Sequence, residues 1–283
     1  MTGVLVVAGY ALQEALRRKV FAVVLLLTLA FLALYWLGAR QAFQEVGGFV
    51  PPAGIDTQTV VGATLLGLAM FGTLFLGTVL AIFLTLGAVR GDAERGLLQP
   101  LVVRPLGRPA FLLGRFLGAA AVCAPYVFAV YAGCVLITYQ TGDWWPDRFA
   151  GPGVELAFAV LVITLLALLG SVVLSSTANG IAVFMLYGAG LVSGLLGQIG
   201  EGLDSETLRS VADAASWALP FEALYQDALH RITADTRGFT EWAINLGPFG
   251  GAQSGGDDLW AWTIAYSAAV AAVAVVLFAR RDL

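Results

Sequence analysis

Histidine, cysteine and lysine, the side chains most often used as bases, nucleophiles and soft metal ligands, occur four times in 283 residues: His230, Cys123, Cys134 and Lys19. A serine–histidine pair would have to use His230, and no HExxH run or pair of membrane aspartates is present. No Cys/His spacing suits a metal. Cys123 and Cys134 lie 11 residues apart, which on one helix is about 16 Å at 1.5 Å per residue, too far to bridge; both read as small packing residues. A phosphate-binding Walker A loop needs Gly-Lys-Ser/Thr, whereas Lys19 stands between Arg18 and Val20. No catalytic, cofactor-binding or metal residues are therefore expected, and any ATP-driven activity would need its ATPase on a separate polypeptide.

The remaining chemistry belongs to the elements. Hydrophobic residues make up 59% and charged residues 12%, against about 25% charged in an ordinary soluble domain, and the mean hydropathy is +0.85. The net charge of −4 argues against a nucleic-acid binder. These values predict an all-α polytopic membrane protein. A crossing helix needs about 20 mostly apolar residues, and six stretches qualify: 20–38, 60–89, 116–138, 156–174, 180–197 and 259–279. The fourth and fifth are separated only by Ser175–Asn179, a tight hairpin with Asn179 as the expected cap. Residues 4–16 form a separate short element with Leu5, Leu12 and Leu16 near one face and Glu14 off it; with the Arg17-Arg18-Lys19 turn this makes residues 1–19 an interfacial elbow helix.

Six spans place both termini on one side, and the distribution of Lys and Arg chooses it. Ten basic residues face four acidic ones on the side holding the termini and residues 90–115; the other side has five against fifteen. The basic side, with both termini, is expected to be cytoplasmic. All seven tryptophans fall at or beyond the opposite ends of the spans. Every charged residue lies outside the spans, Glu155 at the edge of the fourth. Ion-coupled carriers usually place charge within the membrane, so that class is disfavoured, as is an intramembrane enzyme.

Two extramembrane segments are long. In 198–258, Asp204 is the expected cap of one amphipathic helix, and Pro220 opens a second whose Phe221, Leu224, Tyr225, Ala228, Leu229 and Ile232 share a face. Both helices are expected over the outer mouth. In 90–115, the acidic opening Asp92-Ala-Glu94 leads to Arg95, Gly96 and an apolar patch of Leu97, Leu98, Leu101, Val102 and Val103, then Arg104-Pro105-Leu106-Gly107-Arg108 and Leu112-Leu113-Gly114-Arg115. Such a patch lies either on lipid or in the groove of a partner protein.

This segment resembles the ABC-2 type permeases, the membrane subunits of ATP-binding-cassette transporters with the type V exporter fold. Their pattern of an acid, a glycine, a leucine-rich helix, Pro-Leu-x-Arg and Leu-Leu-Gly-Arg is matched by Glu94, Gly96, Leu97, Leu98, Leu101, Pro105, Leu106, Arg108, Leu113, Gly114 and Arg115. The elbow with Glu14, Arg17 and Arg18, the ending Phe278-Ala-Arg-Arg-Asp-Leu283, and the helices with Leu219-Pro220 and Leu224-Tyr225 resemble the NosY-like subgroup. Gln99-Pro100 departs from the pattern inside the expected coupling helix.

The resemblance implies a single permease domain, paired with a second copy of itself and with two ABC ATPase subunits that bind ATP and Mg. Asp92, Glu94, Arg95, Gly96, Leu97, Leu98, Leu101 and Arg104 would couple to the ATPase. The first, second and fifth spans would meet at the dimer interface. Gly190-x-x-x-Gly194 has the small-residue spacing of a helix–helix contact, between subunits or within one. Thr73 and Thr78 fit a weakly polar pathway wall or ordinary packing. The function implied is ATP-driven export of an apolar or amphiphilic substrate from the cell or inner membrane, with the outer helices free for an extracytoplasmic partner. The alternative is a membrane scaffold that transmits ATPase motion without passing a substrate.

Overall fold

A computed structural model describes residues 2–17, 19–48, 55–86, 107–245, 252 and 254–280. Their regular structure is entirely helical, without strands among the described residues: α1 Thr2–Arg17, α2 Lys19–Val46, α3 Thr57–Thr85, α4 Arg108–Gly142, α5 Ala150–Val173, α6 Ser176–Gly202, α7 Glu206–Ala218, α8 Pro220–Arg231, α9 Phe239–Asn245 and α10 Leu259–Ala279. Six segments are long and apolar enough to cross a membrane: Phe21–Val46, Thr57–Thr85, Arg108–Gly142, Ala150–Val173, Ser176–Gly197 and Leu259–Ala279. The count matches the hydropathy reading. α4 is longer than expected: its 35 residues reach about 52 Å, well past the hydrocarbon core, and Arg108–Arg115 forms its projecting first turns.

α3 and α5 are mostly buried and form the centre of the bundle with α4; α2, α6 and α10 leave most of their apolar surface exposed. The buried threonine hydroxyls of the centre are used locally: Thr73, Thr78, Thr138 and Thr164 donate to the carbonyl four residues back, whereas the buried Tyr131 hydroxyl has no partner among the described residues. Tyr35 and Thr138 share a hydrogen bond of 2.5 Å that ties α2 to α4.

α1 lies along the first turns of α4, and glycines allow it. A Cβ at Gly114 would stand 2.6 Å from Val7 Cβ; one at Gly118 would stand 2.5 Å from Ala11 Cβ and 2.9 Å from the Ala8 carbonyl oxygen. The buried face of α1 is consequently its small residues, with Ala15 only 4% exposed, while Leu5 is 69% exposed. The leucines read on one face divide: Leu12 packs partly buried against the core while Leu5 stays exposed, and close approach to α4 falls to small side chains. Gly118→Val is expected to lift α1 off α4 at a cost of about 2 kcal/mol from overpacking. A cysteine placed at Ala15 should then become reactive to a maleimide, and unchanged protection would contradict this packing.

The α5–α6 hairpin forms, but Asn179 does not cap it. It sits in the first turn of α6, buried, and donates from Nδ2 to the Ala167 carbonyl at 2.8 Å, joining the two helices directly. Asp204 likewise is not a cap. It holds a left-handed conformation (φ 51°), pairs with Arg209, and leaves Ser205 as the residue preceding α7.

Both helices expected in 198–258 are present, and they dip into the bundle. α7 runs back along the end of α6, with Leu208 against Gly200 and Ala212 against Gly197. The chain turns at Leu219–Pro220. α8 then climbs past Gly190, which contacts Phe221, and Gly194, which contacts Glu222 and Gln226, to Arg231 beside Gly151. The hairpin tip is thus about 18 Å below the end of α6, counted as twelve residues from Gly190 to Gly202. Phe221, Leu224, Tyr225, Ala228, Leu229 and Ile232 are each 3% exposed or less, as their spacing requires. α8 also buries Glu222 and Asp227, because a hairpin inserted between α5, α6 and α10 has no solvent face left for them.

Candidate functional site

Three places in the fold carry polar or charged side chains that the packing alone does not require. The first is the end of the bundle where α1, the start of α4 and the end of α10 meet. Arg115 Nη1 and Glu14 Oε2 form an ion pair of 2.7 Å. Arg108 donates to the carbonyls of Phe278 (3.0 Å) and Ala279 (2.6 Å) and lies over the Phe278 ring. It thereby satisfies terminal carbonyls of α10 and complements the negative end of that helix. α3 ends at the same place, since Thr85, Glu14 and Arg115 border one small cleft. The segment 87–106 therefore leaves and rejoins the fold beside the elbow helix. Its expected coupling residues Asp92, Glu94, Arg95, Gly96, Leu97, Leu98, Leu101 and Arg104, and Arg18 of the elbow, lie outside the described residues. Arg17 is in the exposed last turn of α1.

The second place was missed in the sequence. Arg231 Nε stands 2.8 Å from Glu155 Oε1 and 2.7 Å from Asp227 Oδ2. Glu155 is 1% exposed and Asp227 2%. Glu155 is not at the edge of its span but more than a turn inside α5. Asp227 Oδ1 also accepts from the Gly255 amide at 3.0 Å. The only local sign of this group is the Asp227/Arg231 spacing of four. Burial of two acids on one guanidinium locks α8 to α5.

The third place is a cavity of about 220 Å³ among α6, α7, α8 and α10, bordered by Gly194, Trp217, Glu222, Gln226 and Trp262. Gln226 donates to Glu222 Oε1 at 2.7 Å. Burial pushes the Glu222 carboxyl up to about 7, and the Gln226 bond opposes part of that rise. A carboxyl raised in the folded state contributes stability that is full below its ordinary pKa near 4.5 and is lost as pH climbs through about 7. Wild-type protein is expected to lose on the order of 3 kcal/mol more than Glu222→Gln between pH 4.5 and 8. Thermal unfolding at both pH values checks this; parallel profiles would contradict it.

The other residues singled out in the sequence have plain positions. Gly190 and Gly194 face α8 within the same chain. Thr73 and Thr78 are fully buried in the centre, bonded to their own helix. Cys123 and Cys134 are free and buried, and His230 is exposed. Among the described residues, no group of three acids, histidines or cysteines is placed to hold a metal ion.

The family model described as "ABC-2 family transporter protein" matches residues 5–283, and so takes in the elbow, all six spans and the 87–106 segment. The chain belongs to the ABC-2 transporter family. It is thus a multi-pass inner-membrane protein of a transporter family. Two curated relatives carry the description "Probable ABC transporter permease protein NosY". That of Stutzerimonas stutzeri is 33% identical over 132 residues, 46% of this chain and 43% of the relative. That of Pseudomonas aeruginosa is 35% identical over 119 residues, 42% of this chain and 39% of the relative. The aligned stretch spans less than half the length of either relative.

Proposed function

We propose that the chain is the membrane subunit of an ATP-driven exporter, acting as a dimer with two copies of a separate ABC ATPase. The observation that supports this most is the shared anchorage of α1, α4 and α10 at the end where 87–106 departs. Glu14–Arg115 and the Arg108–α10 contacts join three helices there, so a push on the segment moves them together. Residues 92–104, with Leu97 and Leu101 one helical turn apart, form the contact with an ATPase groove. The side carrying this segment and both termini is cytoplasmic, in keeping with its excess of arginine. The α7–α8 hairpin then lies on the outer side, where an extracytoplasmic partner has access to it.

The substrate class follows from the interior. Within the spans the buried threonine hydroxyls are spent on their own helices, the unpaired Tyr131 and Tyr187 hydroxyls carry no charge, and the buried acid Glu155 is paired with Arg231. No fixed charge is left to coordinate a bare ion, which favours an apolar or amphiphilic substrate. The experiment is to tag the C-terminus, extract the protein from native membranes in mild detergent, and identify what accompanies it by mass spectrometry. A soluble protein with a Gly-Lys-Ser/Thr loop is expected. A clean homodimer, even after crosslinking in intact membranes, would remove the energy source and overturn the proposal.

A further inference from the structure

The cavity among α6, α7, α8 and α10 has a chemistry that transmission of ATPase motion does not use. Its base holds Glu222, 1% exposed, and Gln226. Glu222 Oε2 and Gln226 Oε1 are both buried and accept no hydrogen bond among the described residues. Leaving a buried acceptor unpaired costs roughly 1–3 kcal/mol, more for a charged group; the nearby Tyr187 and Tyr225 hydroxyls are unpaired as well, and a ligand that donates from the cavity would satisfy both acceptors. Asp213 and Asp258, both exposed, stand at the rim, and no lysine, arginine or histidine among the described residues borders the space. Trp217 and Trp262 form one wall, edge to face with ring centroids 4.9 Å apart. Trp262 Nε1 donates to the Trp217 carbonyl at 3.0 Å, which fixes its ring.

From this geometry we propose that the cavity binds a primary ammonium group, with Glu222 and Gln226 accepting its N–H bonds and the tryptophan wall receiving its positive charge. Each feature selects against a competitor. The acidic base and rim, Glu222, Asp213 and Asp258, oppose an anion. The lining has no histidine or cysteine, the ligands that hold transition metals most firmly. A quaternary ammonium would satisfy the tryptophans but has no N–H for the two orphaned oxygens. The volume of about 220 Å³ is below the roughly 300–1,000 Å³ of sites for drug-sized ligands, and suits a small amine or a single lipid headgroup. The proposal rests on the chain's own geometry and not on its pairing with an ATPase.

Calorimetric titration of the purified protein with ethanolamine and with choline, in 150 mM NaCl at pH 7.5, tests it. Ethanolamine is expected to bind at least about tenfold more tightly than choline. Glu222→Gln should weaken it by about ten- to hundredfold, the loss of one charge-assisted hydrogen bond. Below pH 7 binding should release a proton, because the cation favours the ionised Glu222. The variant removes no volume, and its unfolding at pH 5, where Glu222 is itself neutral, serves as the folding control. A parallel arm places the protein in nanodiscs of phosphatidylglycerol with or without phosphatidylethanolamine and counts retained lipid by native mass spectrometry. Phosphatidylethanolamine retained, and lost in Glu222→Gln, without ethanolamine binding assigns the site to a lipid headgroup. Ethanolamine binding without retained lipid assigns it to a soluble amine. If neither binds, if choline binds as well, or if Glu222→Gln changes nothing, the proposal fails.

Discussion

Changing Leu97 and Leu101 together to aspartate is expected to lower recovery of the ATPase with the tagged chain by about a hundredfold or more. The two positions are four apart, the spacing that would place them on one face of the proposed coupling helix. Burying a leucine side chain in a partner's groove contributes about 1.5–3 kcal/mol, and an aspartate in its place adds a desolvation cost. Two such changes exceed the roughly 2.7 kcal/mol that a hundredfold represents. Gln99 is two residues from each, a spacing that would turn it away from that face, so Gln99→Glu should leave recovery unchanged. Equal recovery of the ATPase with the double variant would show that the contact lies elsewhere. Loss with Gln99→Glu as well would point to general disruption of the segment, not to an apolar face.

Arg231→Met is expected to destabilise the protein by about 3 kcal/mol. Among the described residues the guanidinium is the one cation on Glu155 and Asp227, whose side chains are 1% and 3% exposed. Removing one partner of a buried charge group strands the others, at about 3–5 kcal/mol. The Arg231 side chain is itself 42% exposed, which places the value at the lower end. The triple variant Glu155→Gln, Asp227→Asn, Arg231→Met should recover most of the loss, because replacing a buried ion group as a whole is often close to neutral. Unfolding midpoints in detergent, compared among wild type, the single variant and the triple variant, measure both effects. A single variant as stable as wild type would mean that the two acids are solvated and the α5–α8 lock is not electrostatic.

The spans were legible because twenty uncharged apolar residues have few other uses, and the α8 stripe was legible because Pro220 fixes where its helical period starts. The depth of α8 was not. Glu222 and Asp227 look like the wet face of a surface helix until Glu155, Arg231, Gln226 and Gly194 are known to surround them, and those partners come from three helices. Leu5 and Asn179 failed for a related reason. The sequence shows which residues are apolar or cap-forming, but Gly114 and Gly118 act through α1, about a hundred residues away, and Gly170 admits Asn179 only because α5 and α6 pack closely across their hairpin. Gly190 and Gly194 illustrate the same limit: their spacing signals a close neighbour, and the neighbour within the chain is α8. The coupling residues were marked by their motif alone, and Arg108 and Arg115, at the end of that motif, proved to anchor α10 and α1.

A photocrosslinking amino acid in place of Leu98, irradiated in intact cells, distinguishes contact of residues 92–104 with an ATPase from contact with the lipid surface. A covalent adduct with a soluble protein carrying a Gly-Lys-Ser/Thr loop is expected, at a yield that changes when cellular ATP is depleted. An adduct with phospholipid alone, unchanged by ATP, would place the segment on the membrane as an interfacial helix and contradict contact with an ATPase.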